Sequence, residues 1–254
     1  LHRYLDIPSL SYVLDNSWAR RGDEVLWLRR LRGYHQHDND IFSSSDAASG
    51  GHLETLEWMF ENGGDLDERT TNKAALGGHK ETLTWILENG GNVTDLASNW
   101  AAMNGHLDIL QLVLRICGEI PTSAVSYSVQ NNSIPVLEWL LCRGYPVAPI
   151  SVRWAVKRGY LDCLKILVLH GGICTRRSLD WAAKNGCLHI LKWLVSNGLS
   201  FTSTNPADLA ARGGHLDVLE WILGNGGSYS EQALVWAVRF NHDHVIRFLT
   251  NKNS

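Results

Sequence analysis

One stretch decides the fold, Gly51-His52-Leu53-Glu54-Thr55-Leu56-Glu57-Trp58, because it returns at a nearly constant interval. The next copy is Gly78-His79-Lys80-Glu81-Thr82-Leu83-Thr84-Trp85. Further copies begin at Gly105, Asn132, Gly159, Gly186, Gly214 and Asn241, and every step is 27 residues long apart from one of 28. Self-similarity at a period of roughly 20 to 50 residues indicates a stacked repeat architecture. We therefore predict eight repeats over about residues 40 to 250.

Each repeat is predicted to contain two short helices, described here by positions counted from its Gly or Asn anchor. Positions +2, +5 and +8 are apolar, as in Leu216, Leu219 and Ile222, and this is helical spacing. An Asn-Gly pair follows, as at Asn62-Gly63, where the glycine can end the helix. Another helix precedes the anchor and has small residues at −4 and −3, which would let neighbouring helices approach closely.

The anchor between the two helices is predicted to adopt the left-handed backbone conformation. It is Gly in six repeats and Asn in two, Asn132 and Asn241. Asn is the residue that best replaces Gly at positive φ. We therefore expect positive φ at both asparagines, and the fold class is predicted to be all-α.

Composition excludes several classes of protein. The chain has 254 residues, a formal net charge of −3 and 44% apolar residues, which is typical of a folded protein and not of a disordered one. No apolar run approaches the roughly 18 residues that a bilayer-spanning helix needs, so we expect no membrane insertion. The five cysteines show neither metal-site spacing nor a disulfide pattern, which predicts an intracellular location, cytoplasmic or nuclear.

Motifs for catalysis and cofactor binding are missing from the sequence. It contains no Gly-rich phosphate loop, Gly-x-Ser-x-Gly, His-Glu-x-x-His or Cys-x-x-Cys motif. The repeated histidines His52, His79, His106 and His215 occur once per repeat, about 10 Å apart in a helix stack, which is too far to share a metal ion. We predict no enzymatic activity, no cofactor and no metal site.

One repeat reads Trp181-Ala182-Ala183-Lys184-Asn185-Gly186-Cys187-Leu188-His189-Ile190-Leu191-Lys192-Trp193-Leu194-Val195-Ser196-Asn197-Gly198 and resembles an ankyrin repeat. The resemblance rests on the Ala-Ala-x-x-Gly-His-Leu core and the Leu-x-x-Asn-Gly-like ending, and it covers roughly the last four-fifths of the chain. It implies an α-solenoid of stacked helix-turn-helix repeats. It also implies non-catalytic protein binding through the concave inner-helix surface, in which the histidine ring hydrogen-bonds to the backbone across the Gly-His turn.

The chain departs from the ankyrin pattern in two respects. The usual Thr-Pro-Leu-His start is missing, and the period is 27 residues in place of the family's roughly 33. The segment between Gly90 and Ala101 leaves no room for the family's β-hairpin finger. The linkers instead read Gly-Gly-x-apolar-Ser/Thr, and Thr94 and Ser230 are predicted to be helix N-caps.

A leucine-rich repeat is the alternative fold. A period of 27 lies within its range, and Leu53-x-x-Leu56-x-Trp58 imitates its signature. Two features count against it: the Asn has the wrong offset and is followed by Gly, and the Ala-Ala helix has no counterpart.

Two segments are predicted. Residues 1–45 follow the pattern poorly and are expected to form a degenerate helical N-terminal cap and connecting loop, with helices over 9–20 and 23–32. The polar run at 35–40 contains metal-ligand residue types, but without a scaffold or further ligands we interpret it as a solvated loop. Residues 46–254 are predicted to be a single continuous repeat array.

Position −5 carries the candidate binding residues. It is aromatic in five repeats, and at 100° per residue it lies about 200° from the apolar position −7, so it points away from the core. Positions −2 and −1 share that side and are mostly basic in the later repeats. The predicted partner-binding residues are Trp100, Tyr127, Trp154, Lys157, Arg158, Trp181, Lys184, Arg212, Trp236 and Arg239.

Two interpretations of these aromatic residues stay open. Each ring could lie flat between neighbouring first helices as packing, or it could offer a binding hot spot beside the cations. Charge along the chain is polarised: residues 147–186 carry seven basic and two acidic groups, whereas residues 46–115 carry four basic and eleven acidic groups.

We expect a scaffold or adaptor that holds a protein partner, for which an acidic, aromatic-containing segment is the matching chemistry. Nucleic-acid binding by the Trp, Arg and Lys residues of 147–240 is one alternative. The pI near 6.4 and the acidic N-terminal half weigh against it. A structural subunit of a larger assembly, bound along its outer edge, is the other. The sequence predicts neither the partner's identity nor the oligomeric state.

Overall fold

The computed structural model describes residues 43–203 and 205–252. Within those ranges every regular element is an α-helix, and sixteen helices are present. The all-α prediction is therefore confirmed for this part of the chain. The predicted helices at 9–20 and 23–32 and the polar run at 35–40 lie outside the described residues.

The chain divides into two compact units, residues 1–124 and 125–254. The described helices of the first unit are α1 (Ser44–Gly50), α2 (Leu53–Glu61), α3 (Glu68–Gly77), α4 (Lys80–Glu88), α5 (Asp95–Asn104) and α6 (Leu107–Cys117). Helix α7 (Ala124–Gln130) begins at the boundary. The second unit continues with α8 (Ile134–Cys142), α9 (Pro149–Arg158), α10 (Leu161–Leu169), α11 (Arg176–Lys184), α12 (Leu188–Ser196), α13 (Asn205–Gly213), α14 (Leu216–Gly224), α15 (Glu231–Arg239) and α16 (Asp243–Lys252).

Odd-numbered helices precede an anchor and are called first helices; even-numbered helices follow one and are called second helices. In the first compact unit α1 packs on α3, and α3 packs on α5. In the second, α9, α11, α13 and α15 pack in that order. Second helices also stack, α4 on α6 and α8 on α10. Each compact unit is thus a row of helix pairs, and the continuity of one array across the boundary stays a prediction.

Small side chains explain the close approach of the first helices. Ala74 and Ala75 in α3 and Ala182 and Ala183 in α11 are fully buried. The leucine at +5 is also fully buried, as at Leu83. Burying one such side chain contributes roughly 1.5 to 3 kcal/mol. The core therefore lies between the alanine stripes of the first helices and the leucine stripes of the second.

The anchors adopt the predicted left-handed conformation. The six anchor glycines have φ between 72° and 80°. Asn132 and Asn241 have φ of 58° and 56°, and they are the non-glycine residues with positive φ in the described part of the chain. The replacement of Gly by Asn at these two anchors therefore correctly predicted the left-handed turn.

Histidines at +1 join consecutive repeats. His79 Nε2 donates a hydrogen bond to the carbonyl of Ser49 (2.9 Å), and His106 Nε2 donates to that of Leu76 (3.0 Å). His215 Nε2 donates to the carbonyl of Lys184 (3.2 Å). The ring does bond to the backbone, but not across its own Gly-His turn as expected: the acceptor belongs to position −2 of the preceding repeat.

Linkers between repeats are short and irregular. Residues 43–203 and 205–252 contain no strand, which excludes both the leucine-rich repeat, whose units each supply one, and a β-hairpin finger. Thr94 and Ser230 cap α5 and α15 as predicted, accepting hydrogen bonds from the backbone N–H groups of Ala97 and Gln232. None of the described helices has both the length and the apolar character needed to cross a bilayer.

Candidate functional site

The first helices of the second compact unit present a row of aromatic side chains at position −5. Tyr127, Trp154, Trp181 and Trp236 are all half-buried, whereas the residues that follow them at −4 in the later repeats, Ala155, Ala182 and Ala237, are fully buried. The predicted orientation away from the core is consistent with this difference in burial. The rings serve partly as packing and still keep exposed area.

Cations run beside these rings at position −2. Lys157, Lys184 and Arg239 are exposed, and Arg212 is half-buried. Arg158 is exposed at −1. Because α9, α11, α13 and α15 pack in sequence, the four residues at −2 form one basic row. We call the surface made by positions −5, −2 and −1 of these helices the first-helix face.

Several of the cations lie over the aromatic rings. The Arg158 guanidinium is 5.6 Å from the Trp154 ring centroid. The Arg212 guanidinium is 4.5 Å from that of Trp236, and the Arg239 guanidinium is 5.6 Å from the same ring. Cations within about 6 Å of a ring centroid are attracted by its negative face. Three of the predicted basic residues therefore lie beside predicted aromatic rings, at Trp154 and Trp236.

Trp100 belongs to the first compact unit. It is half-buried in α5, and the Lys73 ammonium lies 6.0 Å from its ring centroid. The described part of that unit, residues 43–124, carries four basic and twelve acidic residues. A shared site for Trp100 and the residues of the second compact unit stays a prediction.

Phe240, at −1 of the last repeat, was missed by the sequence analysis. Its ring stacks on Trp236 with centroids 6.0 Å apart and an interplanar angle of 20°. The Arg212 guanidinium is 5.5 Å from the Phe240 centroid. A signal was available, because aromatic residues four apart on a helix are neighbours.

Polar residues at −6, also missed, position the first helices. Asn72 accepts a hydrogen bond from the Thr94 hydroxyl (2.6 Å), and Asn99 accepts one from the Ser123 hydroxyl (2.8 Å). In the second compact unit the hydroxyls of Ser126 and Ser151 bond to each other at 2.9 Å. Each bond ties one first helix to the start of the next, and the Ser126–Ser151 bond does so at α9, where the candidate face begins.

Asp180 occupies −6 in α11. Burial raises its pKa, while a hydrogen bond with Asn205 and the charge of Arg177 act in the opposite direction. The net shift means that ionised Asp180 is less favourable here than in water. Its hydrogen bond with Asn205 joins α11 to α13, and we interpret Asp180 as a structural link between these helices.

Two further observations on the described residues concern metal binding and cysteine reactivity. They contain no cluster of His, Cys, Asp or Glu that could hold a metal ion. Cys163 is buried and donates to Asn132 Oδ1 at 3.1 Å. Burial and the neighbouring Asp162 raise the pKa of its thiol to about 11, so the thiol is protonated at neutral pH and is a poor nucleophile.

Stacked helix pairs with left-handed turns define an α-helical repeat protein. A family model described as ankyrin repeats in three copies matches residues 125–205 and 179–254, which together make up half of the chain. The chain belongs to the ankyrin repeat family. Ankyrin repeats generally mediate protein–protein interaction and are typically non-catalytic.

A solved structure supports the fold. The ankyrin repeat domain of human ASB11 superposes with a TM-score of 0.59 at 20% identity, covering 74% of this chain and 99% of that domain. At this identity the likeness concerns the fold alone. No curated protein matches the sequence.

Proposed function

We propose that this protein is a non-catalytic scaffold or adaptor that binds a protein partner through the first-helix face of its second compact unit. The observation that carries the proposal is the row of Lys157, Lys184, Arg212 and Arg239 beside half-buried aromatic rings. Tryptophan, tyrosine and arginine are the residues enriched in binding hot spots. Arginines stacked on rings lose less conformational freedom on binding than free ones, which favours affinity.

The charge of the second compact unit supports an acidic partner. Residues 125–254 carry 13 basic and eight acidic side chains. A segment with acidic and aromatic residues would meet the cations with its carboxylates and the half-buried rings with its apolar side chains. Electrostatic complementarity of this kind raises the association rate and selects among partners.

Contacts on the rings favour a protein partner over nucleic acid. Binding of single strands relies on bases that stack on aromatic faces. The guanidinium groups of Arg158 and Arg212 lie over Trp154 and Trp236, so one face of each indole is already covered. All five cysteines are free thiols, which supports our proposal of a reducing compartment, cytoplasm or nucleus.

Charge reversal on two matched faces tests the proposed function. Lys157→Glu with Lys184→Glu changes the first-helix face, and Lys165→Glu with Lys192→Glu makes the same charge change on the second helices of the same two repeats. Affinity capture from the native source should lose its specific partner with the first pair and retain it with the second. Melting temperatures of both variants check folding.

Other outcomes would contradict the proposal. Retention of the partner by the first pair and loss by the second would place the interaction on the second helices, as expected for a structural subunit bound at its outer edge. Salt-dependent binding of a single-stranded oligonucleotide, abolished by the first pair, would favour the nucleic-acid alternative.

A further inference from the structure

We propose that Arg212 and Arg239 form a carboxylate-binding site above the aromatic platform of Trp236 and Phe240. The proposal rests on the proposed function and adds to it the chemical group that is recognised and the place where it binds. The ligand is a carboxylate, either an acidic side chain or the C-terminus of a partner.

Two guanidinium groups converge on one indole. Their central carbons are 4.5 Å (Arg212) and 5.6 Å (Arg239) from the Trp236 ring centroid. They are therefore at most about 10 Å apart. Arg212 comes from α13 and Arg239 from α15, so the site is assembled from two consecutive repeats.

The pair has no negative partner of its own. Among the described residues, no Asp or Glu lies within ion-pairing distance of either arginine; an ion pair is present elsewhere, between Lys165 and Asp162. Two like charges at most about 10 Å apart raise the electrostatic energy of the site. A bound carboxylate would relieve that repulsion and form charge-assisted hydrogen bonds with both groups.

Arg212 is held in place at both ends. Its backbone carbonyl accepts a hydrogen bond from His242 Nε2 (3.0 Å), and its guanidinium lies over both Trp236 and Phe240. The His242 ring in turn stacks on Phe240, with centroids 6.3 Å apart and an interplanar angle of 26°. Such preorganisation reduces the entropy lost when a ligand binds.

The sequence explains why the site forms at this repeat. The repeat that contributes Arg212 has Leu209 at position −5 in place of an aromatic residue. The Arg212 side chain extends to the Trp236 ring of the following repeat. Elsewhere in the same compact unit, the Arg143 guanidinium lies 4.0 Å from the Trp139 ring centroid. Arg143 follows Trp139 by four residues in the same repeat. That pair supplies a natural control, because it has an arginine on an indole without the convergence of two repeats.

Planar guanidinium groups match a carboxylate in a bidentate geometry, which a lysine ammonium cannot provide. Phe240 is exposed and lies next to the cations. The site therefore fits a carboxylate that neighbours an aliphatic or aromatic side chain.

Side-chain N–H resonances of the whole 254-residue chain, labelled with ¹⁵N, offer a direct test. The probes are an N-acetylated, C-amidated peptide Ala-Leu-Glu-Leu-Ala, its Glu→Gln counterpart, and the Gln peptide with a free C-terminal carboxylate. The Trp236 indole resonance is assigned by its loss in Trp236→Phe. We expect saturable shifts of this resonance with the Glu peptide and none with the amidated Gln peptide. The third probe shows whether a terminal carboxylate is accepted as well.

Variants locate the ligand. Arg239→Gln, at an exposed position, should weaken binding of the Glu peptide about tenfold, as should Arg212→Gln. Arg143→Gln should leave it unchanged, and the Trp139 resonance should not move with any probe. Equal shifts with both amidated peptides, equal shifts with sodium sulfate at the same ionic strength, or unchanged affinity in Arg239→Gln would overturn the site. The proposed function would survive that result if Lys157→Glu with Lys184→Glu still abolished partner capture.

Discussion

Two constraints favour glycine at an anchor: its own positive φ and the histidine ring of the next repeat. A Cβ on Gly186, where φ is 72°, would lie 2.6 Å from the Nδ1 atom of His215. Gly159 has nearly the same φ, 77°, but its Cβ would meet Cys187 Sγ at an ordinary 3.4 Å. At the Asn132 anchor the next repeat has Tyr160 in place of a histidine at +1.

Alanine at these two glycines should separate the two constraints. We expect Gly159→Ala to lower the free energy of unfolding by about 1 to 2 kcal/mol, the cost of a left-handed alanine. Gly186→Ala should cost roughly 1 to 3 kcal/mol more because the new methyl group overlaps the His215 ring. Urea denaturation measures both. Adding His215→Ala should recover part of the extra loss of stability in Gly186→Ala. Equal losses in Gly159→Ala and Gly186→Ala would show that the His215 ring imposes no constraint.

At the scale of the helix, α13 determines where α15 begins. Asp208 is 8% exposed, and its two oxygens accept the backbone N–H (2.8 Å) and the hydroxyl (2.7 Å) of Ser230. The Ser230 hydroxyl oxygen also accepts the N–H of Gln232 and so caps α15. One buried carboxylate therefore orders the N-terminus of the next first helix, on which Trp236 and Arg239 lie.

A double-mutant cycle should detect this link. Asp208→Ala is expected to cost about 2 to 3 kcal/mol, because charge-assisted hydrogen bonds are lost and Ser230 loses its acceptor. Ser230→Ala should cost about 1 to 2 kcal/mol, and the double variant less than the two combined, since both remove the same bonds. Exposed Glu220→Ala, in the middle of α14, is the control, within about 0.5 kcal/mol of the parent. Additive costs in the cycle would mean that Asp208 and Ser230 act independently.

Helix pairs and anchors could be predicted because their signals are local: apolar spacing and Gly-to-Asn exchange lie within one repeat. The bonds of the −6 residues could not be predicted. For Asn72, Asn99 and Asp208 the partner is a linker hydroxyl more than 20 residues away, and the residue type at −6 changes from Asn to Asp. At the candidate site the sequence predicted which residues share a side. It could not predict that Arg212 would contact the ring of the next repeat, since that depends on side-chain conformation across a helix stack.

At the scale of the whole molecule, stability should be distributed repeat by repeat. Within each compact unit the first helices pack on their immediate neighbours, as α9 does on α11 and α13 on α15. Histidine and −6 hydrogen bonds likewise join consecutive repeats. In such an array, stability is close to a sum of repeat and nearest-neighbour terms, so local opening can differ between regions.

Hydrogen exchange on the full chain should show this locality. Because Gly186 lies between α11 and α12 and its methyl group would strike His215, Gly186→Ala should speed amide exchange most in α11 to α14, and little in α1 to α4. Gly78→Ala, whose Cβ would lie 2.5 Å from the His106 ring, should give the reverse pattern, with the largest change in α3 to α6. The two variants serve as each other's controls, since both place a methyl group at a left-handed anchor against a histidine of the next repeat. A uniform loss of protection over residues 43–252 in either variant would instead mean that the array opens as one cooperative body.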